Sequence, residues 1–92
     1  MSPYPTAAQV SIERATEITE SAFLPLRCVV EFSKAEDTFS FAIYLPDGKR
    51  TIYKEDATAI QNVPKLKVTL EIARKEVASR DISLASWVFP DA

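Results

Sequence analysis

The chain has 92 residues, of which 47% are hydrophobic and 26% charged, with a formal net charge of −2. That balance describes one ordinary folded domain spanning 1–92 and argues against a disordered or fibrous chain. One cysteine and no histidine leave neither an internal disulfide nor the commonest metal ligand.

A domain of this length buries only about 60–65% of the surface its unfolded form exposes. Small domains without disulfide or metal staples often gain stability from a second subunit, so a homo-oligomer, most simply a dimer, is expected. Residues 1–46 carry three basic side chains against six acidic, and residues 47–92 carry eight against seven. Neither half is basic enough to draw nucleic acid by its overall field. No apolar run approaches the roughly 18–20 residues a membrane helix needs, so no membrane contact is expected. Residues 1–5 lack the basic and apolar regions of a secretory leader, and a lone thiol suits a reducing compartment. The expected location is cytoplasmic.

Residues 1–5, with two prolines, read as extended, and residues 6–81 as the folded body. The first helix is capped by Thr6, which has capping-box spacing to Gln9, or by Ser11 if it begins later. Ala8, Ile12, Ala15, Ile18 and Ala22 make one apolar stripe, with Glu13, Arg14, Glu17 and Glu20 facing water. Pro25 pushes Leu24 out of helical geometry, so the helix ends by Phe23 or Leu24.

Three strand patterns follow. Leu26, Cys28, Val30 and Phe32 alternate with more polar residues. After a turn at 34–38, Phe39, Phe41, Ile43 and Leu45 alternate with Ser40, Ala42 and Tyr44. Pro46-Asp47-Gly48-Lys49 reads as a four-residue hairpin loop. Leu45 and Arg50 flanking that loop would set Ile43 opposite Ile52 and Tyr44 opposite Thr51, with both isoleucines on the buried face. Val29, Tyr44 and Tyr53 would then line the open face. In the second helix Asn62 is the N-cap, Pro64 lies in the first turn, and Leu66, Leu70, Ala73 and Val77 face the core. Lys67–Glu71, Glu71–Lys75 and Glu76–Arg80 are opposite charges four residues apart on its outer surface. This helix should end near Ser79 or Arg80.

The fold class is therefore α+β: a helix, a three-stranded antiparallel meander and a helix, with both helices on one sheet face. Two features exceed what so small a core uses. Val68 and Ile72 form a second apolar pair away from the main stripe of the last helix. The tail at 82–92 contains Ile82, Leu84, Trp87 and Phe89. These segments are expected to cover each other, within one chain or by exchange between two.

Catalytic readings find little purchase. Glu17/Glu20 and Glu55/Asp56 lie on polar, solvated segments, and Cys28 belongs to an inward alternation where a thiol is inert. One glycine is too few for a phosphate-cradling loop, and the acids are too scattered for a carboxylate metal site. No cofactor is expected. The order helix, three strands, helix is also that of double-stranded RNA-binding domains, which makes Lys65, Lys67, Arg74 and Lys75 candidate phosphate contacts. Two lysines after Pro64, one facing Glu71, weigh more toward a solvated helix face.

At Phe23-Leu24-Pro25-Leu26-Arg27-Cys28, preceded by Ile18-Thr19-Glu20-Ser21-Ala22, the chain resembles a family of short bacterial proteins of unknown function, found mostly in pseudomonads. In that family a Phe-Leu-Pro-x-x-Cys signature closes a helix and opens the strands. The likeness extends loosely over residues 11–80 and does not include the tail. Where the family has a Gly-Ile step before the last helix, this chain has Ala59-Ile60. The resemblance implies a small bacterial protein and supplies no catalytic residue.

The residues thus point to a non-enzymatic interaction or regulatory module, with self-association or an unidentified protein partner engaging Val68, Ile72, Ile82, Leu84, Trp87 and Phe89. Duplex nucleic-acid binding through the last helix is the alternative.

Overall fold

The computed structural model describes residues 9–90; the expectations for residues 1–5, Thr6 and Ala8 fall outside them. Helix α1 spans Ile12–Ser21, strands β1, β2 and β3 span Cys28–Ser33, Thr38–Tyr44 and Arg50–Asp56, and α2 and α3 span Ala57–Ile60 and Val63–Ala78. The three strands form an antiparallel meander in the order β1-β2-β3, giving the α+β architecture that the periodicities predict.

Local chemistry explains the helix ends. Ser11 is the N-cap of α1, its hydroxyl accepting from the Arg14 amide at 3.0 Å. Asn62 caps α3 in the same way, its side chain accepting from Lys65 N at 3.1 Å. Each cap occupies one of the donors that a helix start leaves without an intrahelical partner. Helix α1 stops at Ser21, one turn before the proline, with Ala22 at its C-cap. The four-residue α2 was not legible as a helix in the sequence. It is held from outside: Asp37, at φ 52°, accepts from the Ala57 amide through its carbonyl and from the Thr58 amide and hydroxyl through its carboxylate.

The β2–β3 register departs from the expected one by a residue. Ile43 lies opposite Thr51, Tyr44 opposite Arg50, and Ala42 opposite Ile52. The hairpin closes at Leu45, whose amide donates to the Lys49 carbonyl at 2.8 Å, leaving a three-residue loop of Pro46, Asp47 and Gly48. Gly48 sits at φ 87°, the left-handed position such a loop requires. Because side chains alternate faces, a shift of one residue exchanges the two sides of β3. Tyr53 therefore turns inward, its ring 5.1 Å from that of Phe41. Ile52 turns outward and is 56% exposed. The open face consequently carries Val29, Ala42 and Ile52 in a row across the strands with Tyr44 beside them, so that Val29 and Tyr44 lie where predicted and Ile52 takes the place of Tyr53.

One hydrophobic cluster joins Ala15, Ile18, Ala22 and Phe23 to Phe39, Phe41 and Ile43 of β2 and to Leu66, Leu70, Ala73 and Val77 of α3. All eleven are essentially inaccessible to solvent. The predicted inward row of β1 fades along its length, from buried Cys28 through half-buried Val30 to Phe32, which is 44% exposed. Thr19 is fully enclosed and its hydroxyl has no partner.

Two outcomes in urea unfolding follow. Tyr53→Ala lowers stability by about 2–4 kcal/mol, whereas Ile52→Ala changes it by no more than about 0.5 kcal/mol, the opposite of what the four-residue loop requires. Thr19→Val raises the midpoint by about 1 kcal/mol equivalent, because it removes a buried hydroxyl that forms no hydrogen bond.

Candidate interaction surface

The tail after α3 runs without regular structure, yet Ile82, Leu84, Trp87 and Phe89 all pack against the core of their own chain. Arg74, on α3, organises this contact. One guanidinium nitrogen donates to the Ala22 carbonyl at the end of α1, and the other donates to the Ala85 carbonyl at 3.2 Å. The guanidinium carbon lies 5.4 Å from the centre of the Trp87 ring, a cation–π contact. Trp87 in turn donates its indole N–H to Ser21 Oγ at 3.1 Å, and the Ala85 amide donates to the Leu24 carbonyl at 2.8 Å. The Trp87 and Phe89 rings meet edge to face at 5.9 Å.

This arrangement divides the six apolar residues singled out in the sequence. The tail does not cover the α3 pair as expected: Val68 remains 51% exposed and Ile72 53%. The tail is instead held at the C-terminal end of α1, where Arg74 bonds the Ala85 carbonyl, Trp87 bonds Ser21 and the Ala85 amide bonds the Leu24 carbonyl. The two groups nevertheless border one surface. Val68, Ile72, Glu71 and Lys75 line an open concavity of about 390 Å³. Across Glu71 lies a second of about 340 Å³, formed by Lys67, Glu71, Arg74, Trp87, Val88 and Phe89.

The four basic residues considered for nucleic acid are differently engaged, although Lys67 and Arg74 line one concavity and Lys75 the adjoining one. Lys65 pairs with Glu55 at 3.8 Å, Arg74 is committed to the tail, and Lys67 and Lys75 line different concavities. The predicted four-apart charge pairs on α3 do not close to contact among the described residues, where the ion pair within 4 Å is Lys65–Glu55.

The helix-to-strand hexapeptide also resolves into separate roles. Phe23 is fully buried, whereas Leu24 is 54% exposed. The Leu24–Pro25 peptide bond is cis. Cys28 is buried, and burial followed by the nearby Glu20 carboxylate pushes its thiol up from 9.0 to about 12. Burial and the neighbouring Glu76 likewise raise the Tyr53 phenol. Among the described residues no three acidic or thiol side chains converge on a point where a cation could sit, and no helix is long and apolar enough to cross a membrane.

The chain matches no protein-family model, no curated protein and no solved structure.

The Cys28 environment has a direct consequence. In the native protein at pH 8 the thiol reacts with a soluble disulfide reagent at least about a hundredfold more slowly than after unfolding, since only the thiolate attacks. Its folded value lies above its unfolded one, so the folded form holds the proton more tightly. The stability contributed is intact below pH 9 and lost as pH rises toward 12. Cys28→Ala removes that part of the alkaline decline.

Proposed function

We propose that this chain is a non-enzymatic protein-interaction module that pairs with a second copy through the outward surface of α3 and the Trp87–Phe89 end of its tail. The observation that carries the reading is Val68 and Ile72, one turn apart in the middle of α3, each about half exposed, while Leu66, Leu70 and Ala73 on the core side of the same helix are completely buried. Contiguous apolar surface on a small domain marks a partner site more often than an accident of composition. The aromatic pair beside it supplies the rigid, large-area anchors that interfaces favour, and Glu71 and Lys75 provide a rim of both signs. A domain with a thin core gains most from such pairing.

Light scattering tests this with the doubly charged variant Val68→Glu/Ile72→Glu. Both positions are half exposed, so the fold is retained by far-UV circular dichroism. The mass is expected to fall below that of the parent protein. An unchanged mass overturns the proposal.

A further inference from the structure

The exposed edge of β1 is a second place where this molecule is unfinished, and it is distinct from the α3 surface. Strand β1 lies at the border of the sheet. The Tyr44 amide donates to the Arg27 carbonyl at 2.9 Å, and these two residues lie directly opposite in the ladder. Hydrogen-bonded and non-hydrogen-bonded pairs alternate along an antiparallel ladder. Val29 and Glu31 therefore turn their main-chain groups toward β2, while Cys28, Val30 and Phe32 turn theirs outward. Among the described residues, no hydrogen bond takes up those outward groups. The strand has no proline and no lysine, the usual devices that keep such an edge from pairing. The opposite edge is treated differently: β3 carries Arg50 and Lys54, Glu55 is paired with Lys65, and Arg80 donates to Thr51 Oγ1 at 3.2 Å.

The side chains of β1 are complementary to themselves when the strand is turned about a two-fold axis. Arg27 and Glu31 flank Val29 at equal spacing on the open face, where Arg27 stacks 5.3 Å from the Tyr44 ring centre. We propose that β1 pairs antiparallel with β1 of a second copy, about an axis beside Val29, to make one continuous six-stranded sheet. Arg27 then faces Glu31 of the second copy, and by symmetry Glu31 faces its Arg27. Val29 meets Val29, which is a non-hydrogen-bonded position where side chains approach closely. On the inner face Cys28 meets Val30, and the half-exposed Phe32 is covered by Leu26. The outward groups of Cys28 and Val30 find their partners in the same step. A shift by one residue along the strand would turn apolar side chains to solvent and separate the charges. An isologous contact of this kind closes on itself and does not propagate.

Charge reversal distinguishes this edge from the α3 surface. Glu31→Arg sets Arg27 against a second arginine twice per interface, and it is expected to weaken pairing roughly tenfold or more, seen as a lower mass by light scattering. The exchanged variant Arg27→Glu/Glu31→Arg restores both attractions and is expected to recover the parent mass. Amide exchange at Val30 and Phe32 is expected to slow as protein concentration rises. A parent chain that is monomeric at every concentration overturns the proposal. So does a Glu31→Arg variant with unchanged mass, or exchange at Val30 and Phe32 that is independent of concentration. If Glu31→Arg leaves the mass unchanged while Val68→Glu/Ile72→Glu lowers it, the edge is excluded and the α3 surface alone remains.

Discussion

Phe41 is the residue through which the parts of this domain touch. Its ring stacks on Phe23 at the end of α1, at 5.7 Å, and on Tyr53 of β3, at 5.1 Å, and it meets Phe39 edge to face at 6.5 Å. Aromatic groups bury more area than any other side chains and hold preferred relative geometries, so a cluster of four fixes distances as well as supplying stability. The contact depends on a three-residue turn some distance away. Only with Leu45 paired to Lys49 does Tyr53, and not Ile52, fall on the Phe41 side of the sheet.

The second organising contact is Arg74. Its guanidinium joins three segments remote in sequence: the end of α1, α3 itself and the tail. A planar cation with several donors suits this place, because it can satisfy two carbonyls left over at the end of a helix and a loop while stacking on an indole. Arg74 is thereby tied to the tail while still lining the concavity beside Glu71. The tail in turn is drawn away from Val68 and Ile72, so the exposed apolar area on α3 follows from where the arginine sits. The molecule thus divides into satisfied and unsatisfied regions. The interior and the tail pack together within one chain, while Val68 and Ile72 stay half exposed and the outward main-chain groups of β1 have no protein partner among the described residues.

These two regions differ in what they offer a partner. The α3 surface presents apolar side chains in shallow concavities with Glu71 and Lys75 beside them. The β1 edge presents main-chain donors and acceptors, with Arg27 and Glu31 flanking Val29 on the open face. A β-edge pairing is therefore specific in geometry, and a helix-face contact is more tolerant of substitution. Neither needs a titrating group, and the one thiol is enclosed where it stays protonated.

Much of this was legible from local pattern. The caps at Ser11 and Asn62, the inward alternation of Phe39, Phe41 and Ile43, and the stripe Leu66, Leu70, Ala73 and Val77 all follow from periodicity and from side chains that bond their own backbone. Such signals act over a few residues, so the chain carries them before it folds. The hairpin register, the inward turn of Tyr53, the short helix α2 and the destination of the tail were decided only by tertiary structure. Gly48 suits a three-residue loop locally, while closure at Lys49 is what sets Tyr53 on Phe41, and α2 is held by Asp37, twenty residues earlier. The tail is guided by Arg74 and Ser21, whose partners lie far along the chain. In each case the deciding interaction joins residues that have no periodic relation in sequence, and packing around Phe41 and Arg74 selects among arrangements that local chemistry leaves nearly equal.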